Sequence, residues 1–154
     1  MANKQIQSIK SSKLARNEAF MPVMRELVRA YQAFSDHSAK NVRKLGLTPS
    51  QFDVIATLGN TEGMSMTELA KKTLVTKGTL TGIIDRLEQK GLVTRIVPPE
   101  NRRSFTIILT PEGEQTFETV FPIQIAYLKE RFDRLSAEEL KQIQASLSQL
   151  RQIF

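Results

Sequence analysis

Five helix-start signals divide this chain into short segments, and that punctuation constrains its fold more than composition does. In LTPSQF, Thr48 is placed to cap a helix, Pro49 fits the first helical position, and Gln51 completes a capping box. Ser65 with Glu68 and Ser136 with Glu139 repeat the box spacing. Thr76 opens TKGTLTGIIDRLEQKG as a cap, and the stretch ends at Gly91. Thr110 and Pro111 open the last third, where Glu112 and Glu114 suit the positive end of a helix.

Between these signals the hydrophobic period defines the elements. Phe20, Met24, Leu27, Val28, Tyr31 and Phe34 recur at three- and four-residue steps, which predicts a helix over about residues 14–45, started or kinked at Pro22 and stopped at Gly46. Phe52, Ile55 and Leu58 stripe the next helix, and Leu69 and Ala70 turn inward on the one after it. A break of about three residues before Thr76 makes the pair at 65–90 a helix-turn-helix candidate. The period then switches to that of strands at 93–97 and 105–109. A helix from Pro111 to about Leu135, kinked at Pro122, precedes a final helix striped by Leu140, Ile143, Leu147, Leu150 and Phe154. The expected fold is mainly α with a small β-hairpin, one domain over residues 1–154 without internal repeats.

Several function classes drop out. With 154 residues, 40% hydrophobic and 25% charged, the chain can build a core, so global disorder is not expected. It has no cysteine, which removes disulfides, thiolate metal sites and cysteine nucleophiles. One histidine, His37, gives no basis for a metal cluster or a catalytic triad. No nucleotide loop is present, and no carboxylate falls in a distinctive motif, so neither an enzyme nor a cofactor is expected. The opening MANKQIQSIKSSK is polar and basic rather than signal-like, and no stretch reaches the roughly 20 apolar residues of a membrane span. The expected location is the cytoplasm.

The net charge of +6 is concentrated in two blocks. Residues 1–44 carry nine basic and three acidic groups, and residues 71–103 carry eight and three. A basic block fits a polyanion partner, and equally a solvated face. The helix at 77–90 discriminates between them. With Leu80 at the centre of its buried side, Ile83, Ile84 and Leu87 fall within about 60° of it. Gly78, Gly82, Asp85 and Gln89 take the opposite side, flanked by Thr79, Thr81 and Arg86. Each interior glycine costs about 1 kcal/mol relative to alanine, which a weak surface helix would simply tolerate. A helix entering the major groove of DNA would use them for close approach, with Thr76, Thr79 and Thr81 on bases or phosphates and Lys77 and Arg86 on phosphates. The stretch VPPENRRSF, between the two β-branched runs, is too long for a minimal hairpin. Arg102 and Arg103 there suit a wing reaching along DNA, where a narrow minor groove is strongly negative. An ordinary soluble hairpin tip is the other reading.

LTPSQFDVIATLG, SMTELAKKTLVTKGTLTGIIDRLEQKGLVTR and PPENRRSFTIILTPEG together resemble the MarR family of winged-helix transcription regulators, over nearly the whole chain. The resemblance implies a winged helix-turn-helix at about 47–110 and dimerisation helices at about 14–45 and 111–154. It implies a recognition helix at 76–89, a wing at 98–104, and a homodimer that binds a pseudo-palindromic double-stranded operator, most often as a repressor. It further implies a small aromatic or anionic effector, with Met24, Tyr31, Phe34, His37, Phe52 and Met66 as candidate lining and Arg25 as an anion partner. An ordinary core role fits those apolar residues as well. The family's wing often carries an Asp two residues before its key Arg; here that position is Asn101, with Arg103 the matching arginine. A winged-helix protein–protein adaptor, docking the same helix on an acidic partner, is the alternative function.

Overall fold

Thr48 and Gln51 exchange both bonds of the expected capping box. The Thr48 N–H donates to Gln51 Oε1 at 3.1 Å and the Gln51 N–H donates to Thr48 Oγ1 at 3.2 Å. The same reciprocal geometry closes the Ser65–Glu68 and Ser136–Glu139 boxes. The Glu68 carboxyl is held below its ordinary value by the Ser65 backbone N–H and then by the Ser65 hydroxyl. These caps set the starts of α3 (Pro49–Leu58), α4 (Met66–Lys72) and α7 (Ala137–Arg151) in a computed structural model that describes residues 11–154. The basic stretch before Ser11 lies outside the described residues.

The remaining elements are α1 (Ser12–Ala15), α2 (Met21–Lys44), β1 (Met64–Ser65), α5 (Lys77–Gln89), β2 (Val93–Ile96), β3 (Thr106–Leu109) and α6 (Pro111–Phe132). They fall into two compact units, one ending at His37 and one spanning Ser38–Phe154. Of the two readings open at Pro22, a helix start or a kink, the structure has the start, and the residues before it form a separate short helix. A proline has no N–H to offer a continuous ladder and is cheap only in a first turn. The chain accordingly breaks after Ala15 and restarts at Met21, with Pro22 second in α2. α6, by contrast, continues through Pro122.

Two glycines stop helices as expected. At Gly46, φ is +83°, and the Leu47 and Gly46 N–H groups return to the carbonyls of Val42 and Arg43. At Gly91, φ is +73°, and Leu92 and Gly91 bond back to Leu87 and Glu88. Both are Schellman closures, which require the left-handed conformation that glycine adopts without strain.

The sheet has three strands rather than two. β3 lies centrally, antiparallel to both neighbours, in the order β1-β3-β2. Val93 faces Leu109 and Ile96 faces Thr106 across the hairpin, while Met64 faces Ile107 on the added strand. Ile55 and Leu58 of α3, Leu69 of α4, Leu80, Ile84 and Leu87 of α5, and Ile107 of β3 are essentially inaccessible and form one cluster with Phe117 and Val120 of α6. Burying each such side chain contributes about 1.5–3 kcal/mol, so the helix-turn-helix and the hairpin share a core and cannot come apart cheaply.

Polar contacts fix the edges of this core. Gln124 of α6 is fully buried, accepts from Asn41 Nδ2 at 2.9 Å and donates to Ser38 Oγ at 3.0 Å, tying the last turns of α2 to α6. Asp53 accepts the Leu74 N–H at 3.0 Å, anchoring the turn between α4 and α5 to α3. Thr110 joins the hairpin stem to α6: its hydroxyl donates to the Gly91 carbonyl at 2.6 Å and accepts the Gly113 N–H at 3.0 Å.

Gly113 makes that junction possible. A Cβ built there would lie 1.9 Å from the Leu92 carbonyl oxygen, a backbone atom that can move only with the strand. Gly113→Ala is expected to destabilise the chain by about 1–3 kcal/mol through overpacking. A lowered urea midpoint checks this, and an unchanged midpoint would show that the stem has slack.

Candidate nucleic-acid interface

α5 presents the two faces expected of it. Leu80, Ile83, Ile84 and Leu87 are buried, while Thr76, Lys77, Gly78, Thr79, Thr81, Gly82, Asp85, Arg86 and Gln89 are exposed. The nine candidate DNA contacts, seven on α5 and its cap and two on the loop between β2 and β3, are all exposed, and the seven are consecutive or one turn apart. Thr76 occupies the N-cap position, yet its hydroxyl makes no capping bond and donates instead to Thr79 Oγ1 at 3.1 Å. α4, α6 and α7 carry acids in their first turns, whereas α5 carries none. Its partial positive charge is therefore left uncompensated by local carboxylates. Lys77, at the same end, reaches back to Thr67 Oγ1 at 3.3 Å and so bridges α5 to α4.

Among the described residues nothing requires a glycine at 78 or 82. A Cβ at either position would meet nothing within 4 Å, and neither has positive φ. Gly59 and Gly113 differ, because a Cβ there would strike the Phe117 ring or the Leu92 backbone. The two α5 glycines thus carry a helix-propensity cost of about 1 kcal/mol each with no compensating contact in the chain itself.

Arg95 of β2 was not among the residues singled out in the sequence. Its guanidinium ion-pairs with Glu88 through Nη1 and with Asp85 through Nη2, and its backbone N–H donates to Glu88 Oε1 at 3.2 Å. β2 is thereby fastened to α5 on the strand's outer edge. The signal that could have found it is the pair of acids, 85 and 88, toward the C-terminal end of α5, where the helix dipole disfavours negative charge.

The loop between Ile96 and Thr106 is built from two successive turns. The Asn101 N–H donates to the Pro98 carbonyl at 3.2 Å, which places Pro99 at the corner position that proline favours. The Ser104 N–H then donates to the Asn101 carbonyl at 3.4 Å, with Arg102 and Arg103 as the two central residues. Asn101 Oδ1 accepts the Arg103 N–H at 3.1 Å and locks this second turn with a neutral side chain. Both arginines are exposed, and among the described residues neither forms an ion pair, with Glu100 or with any other acid.

The candidate effector residues fall in both units. Met24, Arg25 and Tyr31 stand exposed on α2 and His37 is half-buried, all in the first unit. Phe52 and Met66 belong to the second unit and pack on its core; the Phe52 ring stacks on Phe121 with centroids 6.4 Å apart. Among the described residues no group of acids or His could hold a metal, and no helix is long and apolar enough to cross a membrane.

Comparison with known proteins agrees with this geometry. The MarR family profile matches residues 47–105, which span α3 to the end of the arginine-bearing loop. The HTH-type transcriptional regulator MhqR of Bacillus subtilis is 33% identical over 115 residues, covering 75% of this chain and 79% of the relative. AbsC, a MarR family transcriptional regulator from Streptomyces coelicolor, superposes with a TM-score of 0.77 at 27% identity, over 85% of this chain and 90% of AbsC. BpsR of Bordetella bronchiseptica, whose DNA binding is regulated by 6-hydroxynicotinic acid, gives 0.75 at 27% identity, over 84% and 98% of the two chains. The exposed α5, the three-stranded sheet and the arginine-tipped loop are the parts of a winged helix, and the chain belongs to the MarR family of transcription regulators.

Proposed function

We propose that this regulator binds a specific double-stranded, pseudo-palindromic operator as a homodimer in the cytoplasm and represses transcription until a small aromatic or anionic molecule releases it. The observation that carries the DNA reading is the pair of glycines, Gly78 and Gly82, standing over open space on the exposed side of α5. A helix that gives up side chains on its outer face gains only when another surface comes close to its backbone. A major groove is such a surface, with Thr79 and Thr81 at base edges, Thr76 and Lys77 at the helix start and Arg86 on phosphate. The turn at 101–104 would place Arg102 and Arg103 along the neighbouring minor groove.

Exposed apolar surface supports the homodimer. In the first unit Val23, Leu27 and Phe34 of α2 are 53, 41 and 45% exposed, and in the second Leu140, Ile143 and Leu147 of α7 are 39, 45 and 53%. Helix stripes left this open mark an interaction surface. In a two-fold dimer the recognition helices would stand about 34–36 Å apart, one turn of the duplex. The effector reading draws on BpsR and 6-hydroxynicotinic acid; Met24, Arg25, Tyr31, His37, Phe52 and Met66 remain its candidate residues. An effector would act by favouring a dimer geometry with the wrong spacing.

The direct test is selection of bound fragments from genomic DNA at about 150 mM salt, where the non-specific charge contribution is weakened. A recurrent inverted sequence is the expected result, and no preference over bulk DNA would leave the adaptor reading instead. Arg103→Ala is expected to weaken binding to that fragment by about tenfold with thermal stability unchanged; a matching loss of stability would make Arg103 structural. Gly82→Leu is expected to raise the melting temperature by about 2–4 °C through helix propensity while abolishing specific binding. Retained affinity would mean that this face of α5 does not enter the groove.

A further inference from the structure

We infer that Arg95 is a positioning residue for DNA binding: it masks the two carboxylates of α5 from the phosphates and holds the wing strand against the recognition helix. The inference rests on the DNA reading above. Asp85 stands on the exposed side of α5 in line with Gly78 and Gly82, its side chain 52% accessible, and Glu88 follows one turn later at 31%. Both acids lie toward the negative end of the helix dipole, and both would face a polyanion if left bare. Arg95 lies across them with its own side chain only 22% accessible, one guanidinium nitrogen on each carboxylate. Its charge is spent inside the protein, unlike those of Arg102 and Arg103.

The arrangement also has a geometric consequence. The backbone N–H of Arg95 has no strand partner because β2 is an edge strand, and Glu88 Oε1 accepts it instead. β2 leads directly into the loop that carries Arg102 and Arg103, so this contact relates the arginine-bearing turn to the face of α5. Helix and wing then meet the duplex as one preformed unit, which lowers the ordering cost of binding.

Masking and direct phosphate contact are separated by removing the charges in steps. Arg95→Gln is compared with the triple variant Arg95→Gln, Asp85→Asn, Glu88→Gln, by fluorescence anisotropy on the duplex that the wild type selects. The single substitution is expected to lower affinity by at least about tenfold, since it sets bare carboxylates against phosphate. The triple variant is expected to return to within about threefold of wild type, with the same slope of log affinity against log salt. A triple variant that stays as weak as the single one, with a slope shallower by about 0.9, would overturn the inference and make Arg95 a phosphate contact. Wild-type affinity in the single variant would overturn it as well. If Arg95→Gln does not fold, the triple variant, which has no bare carboxylates, decides by its affinity and slope. A wild type that selects no duplex would instead remove the DNA reading on which the inference depends.

Discussion

The burial of Leu80, Ile83, Ile84 and Leu87 fixes everything else that α5 can do. Four large apolar side chains on one stripe, with Leu80, Ile84 and Leu87 fully inaccessible, allow the helix only one rotation about its axis. That rotation turns Gly78, Thr79, Thr81, Gly82 and Arg86 outward together. The stripe packs into a core shared with α3, α4, α6 and the sheet, so the display of the outer face is as rigid as the core beneath it. In the proposed DNA complex, rigid display matters because an element that reads a groove must arrive preorganised to within a small fraction of a side chain's length.

Charge is arranged around this helix with the same economy. Arg95 neutralises acids on α5, Lys90 bonds to the Gly46 carbonyl and to Gln51, and Lys77 reaches Thr67, so three of the basic groups in block 71–103 are partly engaged inside the fold. Arg102 and Arg103 are not, at least among the described residues. Net charge therefore says less about a partner than the question of which cations are left over. Asn101 shapes the turn around them through a neutral hydrogen bond to the Arg103 N–H, so wing shape and wing charge are set independently.

Much of this was legible in the sequence because its causes are local. The caps at Thr48, Ser65 and Ser136, the Schellman glycines 46 and 91, and the buried side of α5 all depend on residues within one or two turns of each other. What was missed depends on distance along the chain. β1 is two residues long and exists only because Met64 and Ser65 meet β3 some forty positions later, too brief a run for any alternation to register. Gln124 reads as a surface residue until Asn41 and Ser38 satisfy it across more than eighty positions. Arg95 could be inferred only by asking what neutralises Asp85 and Glu88. The break between α1 and α2 was half legible: Pro22 marked the place, and the apolar period running across it argued for continuity.

The proposed DNA binding puts the outer face of α5 in the major groove. Methylation of guanine N7, which projects into that groove, reports on it directly when the selected duplex is probed with and without protein. Protection is expected in two half-sites whose centres are about 10–10.5 base pairs apart, with premethylation at the same positions blocking binding. Full binding with guanine N7 left reactive throughout both half-sites would contradict it.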